Sequence, residues 1–328
     1  MEFKTVPVLY NDKGEVRKVG FELEFGELDL KEAASCIMNL YGGEYERYSN
    51  FLQQVKNTSI GDFILKMDTK VLTEKSYEKI FERAGISMEN FGLQLEGIAE
   101  RIASSLVPYE ISIPPIPINE IEKADLLRKA LFSKKAKGTG ASIMNAYATH
   151  LNPELPSLDV DTILKYSRAF FLLYPYLFKI GEIDLARRVS TYINPFPKEY
   201  ILKVLPPGYK PDLKTFSLDY HSYNSDRNRP LDLYPVLAYM DQELINSFHD
   251  IGNVKARPTF HYRLPNSNID DENWSLATEW NRWVEIEKLA CNDNLLEQLC
   301  LEYLALNQDV LIGFNVKWLN RIKEVIDV

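Results

Sequence analysis

Two glutamates stand one residue apart in VGFELEF, residues 19 to 25, with apolar side chains on either side of each. Successive side chains of a strand point to opposite faces, so Glu22 and Glu24 would project together, about 6.5 to 7 Å apart, while Phe21, Leu23 and Phe25 face the other way. The same period of two runs through four more segments. FILKMDTKV sets Ile64, Lys66 and Asp68 opposite Phe63, Leu65 and Met67, and VPYEISIPP sets Glu110 and Ser112 opposite Tyr109, Ile111 and Ile113. AYATHLNPE puts His150 and Asn152 on one side, and RPTFHYRLP opposes Arg257, Thr259, His261 and Arg263 to Phe260, Tyr262 and Leu264.

A single strand with alternating charge is ordinarily a solvated sheet face. Five of them, built from Glu, Asp, His, Asn and Arg rather than the Thr, Ser and Lys mixture of exposed strands, point to one shared polar surface. Clustered carboxylates repel unless a cation sits among them, and the hard oxygens of Glu22, Glu24 and Glu110 suit Mg²⁺ or Mn²⁺ better than Zn²⁺. A divalent ion with arginines nearby is what a nucleoside triphosphate requires.

The elements that must carry these residues alternate along the chain. After the Val19 to Phe25 strand, Asp29 to Leu40 switches to helical spacing behind an acidic N-terminal residue. Ile60 to Leu72 reads as a turn and strand, Tyr77 to Ser105 as helices broken near Gly85 and Gly92, and Val107 to Ile113 as a strand. The PPIP run from Pro114 is expected to end that strand, because proline donates nothing to a ladder. A helix over Glu120 to Phe132, a glycine-bearing loop over Lys134 to Ala141, a strand over Ser142 to Leu151 and a long helix over Leu158 to Ile180 follow. Arg257 to Leu264 is the last strand. Trp274 to Ala290, Leu295 to Leu306 and Asn315 to Ile326 are terminal helices, in which Trp274, Trp280 and Trp283 pack rather than bind. Strands of a parallel α/β sheet are apolar on both faces; these are apolar on one only. The fold class is therefore α+β, a curved, mostly antiparallel sheet with helices on one face. Residues 1–268 read as the catalytic domain, and 269–328 as a helical extension packed on it.

Composition narrows the function. The chain has 328 residues, 45% hydrophobic and 26% charged, which excludes disordered, collagen-like and low-complexity classes. With 38 Lys and Arg against 47 Asp and Glu the net charge is -9, unsuited to nucleic acid or an anionic membrane. Cys36, Cys291 and Cys300 form no CxxC pair, so no disulfide framework or zinc knuckle is written, and a reducing cytoplasm is expected. The most apolar run, Ala169 to Phe178, is half the ~20 residues a membrane helix needs. The first residues lack the pattern of a signal peptide.

The Glu-x-Glu strand GFELEF, the strand YEISIPP, the His-x-Asn strand ATHLNPE, and the runs DLARRVSTYINPFP, SDRNRPLDLYPVLA and FHYRLPN form an ordered set over Val19 to Asn266. Together they resemble the amidoligases, carboxylate-amine ligases of the glutamine synthetase-like fold. The resemblance implies ATP-dependent formation of an amide or peptide bond on an amino-acid, peptide or other carboxylate and amine substrate, with Mg²⁺ or Mn²⁺ held by strand carboxylates. Glu22, Glu24 and Glu110 match the family's metal-binding glutamates. His150 and Asn152 match the strand beside nucleotide or metal, and Lys66 and Asp68 fall on a neighbouring strand assigned to the cofactor. Arg227 and Arg229 fall in the Arg-rich segment, and Arg263 matches the arginine expected near the transferred phosphate. Two positions depart from the pattern: His261 replaces the glutamate of a late Glu-x-Arg strand, so that one metal either has a nitrogen ligand or is absent, and Asp68 is followed by Thr69 and Lys70 instead of the x-Ser of many members.

The implied chemistry activates the carboxylate as an acyl phosphate, which the amine then displaces. Phosphoryl transfer is largely positioning and charge neutralisation, and a cation beside the acyl oxygen stabilises the tetrahedral intermediate. Two alternatives stand beside ligation: a phosphotransferase on the same sheet, and a binding module without turnover. Lys134, Lys135 and Lys137 in KKAKGTGAS form no P-loop, lacking GxxxxGK[ST], though they could reach phosphates. Arg187 and Arg188 follow a helix and could pair with Asp184. His221 and His249 have no ligand spacing and read as surface residues. Oligomerisation through the terminal helices is left open.

Overall fold

The computed structural model describes residues 1–67, 108–139, 147–183, 193–309 and 313–326. Asp68, Arg187, Arg188 and the helices expected between Tyr77 and Ser105 lie outside the described residues.

The alternating segment from residue 19 becomes β1, Lys18–Phe25, flanked on both sides by other strands. The others are β2 (Glu44–Arg47), β3 (Leu52–Thr58), β4 (Gly61–Met67), β5 (Tyr109–Pro117), β6 (Thr149–Pro153), β7 (Leu231–Asp232) and β8 (His261–Tyr262). Among the described residues they form one eight-stranded sheet in the order β2-β3-β4-β5-β1-β6-β8-β7. Every ladder is antiparallel. The fold is α+β, as the one-sided patterning of the strands requires.

One face of the sheet is the core. Phe21, Leu23, Phe25, Phe63, Leu65, Ile111, Leu151, Phe260 and Tyr262 are all at most 1% exposed. Helix α1 (Leu30–Tyr41) begins where Asp29 accepts the Glu32 amide at 2.8 Å, and its last residue, Tyr41, stacks on Phe63 with ring centroids 5.5 Å apart. Helix α2 (Glu122–Ser133) follows β5. Helix α3 (Val160–Ile180) is capped by Asp159, whose carboxylate accepts the Thr162 amide at 2.7 Å. It lays Tyr166 against Phe260 and Phe170 against Tyr262, at centroid distances of 5.2 and 6.1 Å. Pro175 lies inside it and cannot donate to the helix ladder.

Among the described residues, four shorter helices, α4 (Lys198–Val204), α5 (Leu213–Tyr223), α6 (Tyr234–Met240) and α7 (Gln242–Asn246), lie between α3 and β8, with β7 falling between α5 and α6. The chain closes with α8 (Leu276–Ala290), α9 (Asp293–Asp309) and α10 (Phe314–Val325). Trp280 and Trp283 are fully buried, the latter against Tyr262 at 5.4 Å, and Trp318 of α10 donates to Leu172 O of α3 at 2.8 Å. A buried two-pronged ion pair fastens α8 to the sheet: Arg17, next to β1, meets Glu287 at 2.9 and 2.7 Å with both side chains at 0% exposure. No helix among the described residues is long and apolar enough to cross a membrane.

Several expected strand limits are corrected. β5 does not stop at Ile113: it runs through the proline run, where Ile116 pairs with Val19 and Pro117 with Lys18. The prolines are tolerated because β4 pairs with β5 only up to Ser112, so the far edge beyond it belongs to no ladder, and because the β1 register shifts between Val19 and Phe21. The strand expected over Arg257 to Leu264 contracts to His261–Tyr262, with an isolated Glu154–Thr259 bridge; Pro258 and Pro265 bracket it. The strand expected over Ser142 to Leu151 is instead Thr149–Pro153, residues 140–146 lying outside the described residues.

Candidate active site

The register turns the polar side chains into two rows across the sheet. Glu22 of β1 faces Ser112 of β5 on one side and His150 of β6 on the other, while Glu24 faces Glu110, which in turn faces Lys66 of β4. At the far edge His261 of β8 faces Asp232 of β7.

The first row closes into a cluster. His150 Nδ1 lies 2.8 Å from Glu22 Oε2, His261 Nε2 lies 3.5 Å from the same oxygen, and the two imidazoles meet edge to face with centroids 5.0 Å apart. Asn152 donates its amide to Glu22 Oε1 at 3.2 Å, and Arg257 reaches that oxygen at 3.5 Å. Glu22, His150 and His261 each offer a ligand atom within 4.8 Å of the others. Neither ring nitrogen of His261 has a hydrogen-bond partner, although the residue is only 6% exposed, and the buried Asn152 Oδ1 has none either. Burial alone would raise the Glu22 carboxyl, yet His261 and the hydrogen-bonded His150 hold it well below the usual carboxylate range. Burial, then the Arg263 guanidinium, push the His261 imidazole well below its ordinary value. A carboxylate beside a neutral imidazole is the protonation state in which these groups ligate metals.

In the second row, Glu24 Oε2 accepts the Ala148 amide at 2.7 Å, and its Oε1 is 3.9 Å from His150 Nε2. Glu110 Oε1 pairs with Lys66 at 3.0 Å and accepts from Ser112 at 3.1 Å. Glu24 and Glu110, expected beside Glu22 as metal-binding glutamates, form a row next to the cluster; among the described residues, Glu22, His150 and His261 are the three whose ligand atoms lie close enough together to hold an ion.

The three arginines differ. Arg263 Nη2 and Arg227 Nε approach Asp232 Oδ2 at 3.3 and 3.4 Å, and that carboxylate, fully buried, also lies 4.0 Å from His261 Nδ1. Arg227 donates in addition to Asn253 O at 2.9 Å. Arg229 is held by its neighbours: its guanidinium bonds Asn224 Oδ1 at 2.9 Å, the carbonyls of Pro195 and Tyr223 at 2.8 and 3.2 Å, and Asn194 O at 3.3 Å. Sequence reading missed Asp232, whose two-residue strand has no periodicity. Arg257, which shares the polar parity of His261, joins the cluster through Glu22.

The lysine-bearing loop is docked at the end of β1, where Lys137 and Gly26 exchange backbone hydrogen bonds of 3.0 and 2.9 Å. Gly138 lies so close to the 267–270 segment that a Cβ there would come within 2.3 Å of Ser267 O. Its glycine serves close packing of loop on loop.

A family model described as putative amidoligase enzyme matches residues 15–285 of this chain. No curated protein and no solved structure matches it.

Proposed function

We propose that this chain, which belongs to the family of putative amidoligase enzymes, joins a carboxylate to an amine at the expense of ATP, through an acyl phosphate. The observation that carries the reading is the convergence of Glu22, His150 and His261 on the polar face, with Arg257 and Arg263 beside them, inside the matched region.

Glu22, His150 and His261 would hold a divalent ion, and the two buried nitrogens of His261 without partners fit that role. Bound there, the ion would supply the charge neutralisation that phosphoryl transfer needs. The chain's own groups supply the rest. Arg257 and Arg263 bring fixed positive charge to the same surface, where phosphate and developing acyl oxygen carry negative charge. Asp232 restrains Arg263 and Arg227 from beneath. Lys66, paired with Glu110 and 42% exposed at its side chain, is the cation on the other flank. Asn152 fixes one oxygen of Glu22 and leaves the other to the imidazoles. Overall, the carboxylate takes the γ-phosphoryl group and ADP leaves; the amine nitrogen then displaces phosphate and loses a proton, giving amide, ADP and phosphate.

The test is ADP release with pooled amino acids and dipeptides as carboxylates and pooled amines, supplied separately and together. ADP should appear only with both. Equal release with the carboxylates alone would assign a phosphotransferase instead.

A further inference from the structure

We infer that the Glu22–His150–His261 cluster selects a first-row transition ion of the Mn²⁺, Co²⁺ or Zn²⁺ kind over Mg²⁺. The inference rests on reading this cluster as the ligase's metal centre and gives that centre a chemical preference.

Two of the three donors are imidazole nitrogens. Mg²⁺ favours oxygen ligands in a near-ideal octahedron and retains water, whereas imidazole suits borderline transition ions. The geometry agrees with a nitrogen-rich shell. His150 Nδ1 and His261 Nε2 converge on one carboxylate oxygen at 2.8 and 3.5 Å, spacings that bracket the edge of roughly 3.3 Å in a tetrahedral shell of nitrogen and oxygen donors. The all-oxygen alternative is engaged elsewhere, since Glu24 accepts the Ala148 amide and Glu110 holds Lys66 and Ser112.

His261 supplies the independent sign that something belongs there. It is 94% buried, and neither ring nitrogen has a partner in hydrogen-bond geometry, an arrangement that is costly for a buried polar group unless something satisfies it. Here Nε2 faces the cluster, while Nδ1 faces Asp232 at 4.0 Å, on the side where a carboxylate orients a ligating imidazole. Asn152 Oδ1, buried and without a partner, adds an oxygen beside Glu22.

The experiment strips the full-length protein with a chelator and titrates Mg²⁺, Mn²⁺, Co²⁺ and Zn²⁺ by calorimetry, with the visible spectrum of the Co²⁺ form as a second readout. One equivalent of Co²⁺ or Zn²⁺ should bind at least about 100-fold more tightly than Mg²⁺. His261→Glu should shrink that ratio below about tenfold and change the Co²⁺ spectrum, with circular dichroism of the stripped protein unchanged. If His261→Glu does not fold, His261→Gln decides, weakening Co²⁺ and Zn²⁺ while leaving Mg²⁺ as it was. Mg²⁺ binding as tightly as Co²⁺, or a folded variant with transition-ion affinity and spectrum unaltered, overturns the inference. Selective binding without ADP release from any carboxylate-amine pair would sink the ligase reading alone, and ligation with Mg²⁺ held as tightly as Co²⁺ would sink this inference alone.

Discussion

Four side chains converge on the Glu22 carboxylate: two imidazoles, an amide and a guanidinium. Glu22→Gln keeps size and shape and removes the charge, so it should abolish ATP turnover while leaving circular dichroism unchanged; loss of the folded spectrum would make the residue structural. The same residues set a pH dependence in metal-free protein. Above the ordinary imidazole value of ~6.5, His261 is neutral whether folded or not. Below it the unfolded chain gains a proton that the folded chain refuses, so stability falls with falling pH. Glu22, held below its ordinary value, extends the loss once the unfolded carboxyl begins to protonate near pH 4 to 5. Thermal melts of chelator-treated protein between pH 8 and 5 should show this decline, and His261→Gln should flatten it; an identical decline in the variant would place its origin elsewhere. Strand parity made Glu22, His150, Asn152 and His261 readable in advance, since period two needs only a few residues to declare a face. Asp232 was unreadable because its partners arrive from β8 and from the loop before β7, a purely tertiary arrangement.

The strands hold this face because helices bury the other, and the tie between β1 and α8 tests that coupling. Arg17→Met leaves Glu287 charged and buried without its partner, which should cost about 3–5 kcal/mol in urea unfolding. Glu287→Gln in the same chain removes the stranded charge and keeps an acceptor for the Trp283 indole, which donates to Glu287 at 2.7 Å. The double variant should therefore recover at least half of that loss; a double variant no better than the single would show that packing around Arg17, and not charge, is what matters. The helices α1, α3 and α8 were legible because their apolar stripes are long and, for α1 and α3, begin at capping aspartates. The β2 and β3 hairpin was not: EYER has no clear apolar face, and LQQVKNT buries little beyond Gln53 and Val55. The prolines of β5 misled for a related reason, since proline forbids a ladder bond only on an edge that has a neighbour.

Across the whole molecule, a net charge of -9 says little about the site. The polar face carries Arg257, Arg263, Arg227 and Lys66 against Glu22, Glu24, Glu110 and Asp232, a near balance to which a divalent ion would add about two positive charges. Such a face should attract a nucleoside triphosphate only when metal is present. Titration of a non-hydrolysable ATP analogue into the full-length protein, with Mn²⁺ and with chelator, tests this most directly. The account predicts saturable one-to-one binding that requires Mn²⁺ and is lost in folded Glu22→Gln; binding unaffected by chelator, or no binding to the wild-type chain with Mn²⁺ present, would contradict it.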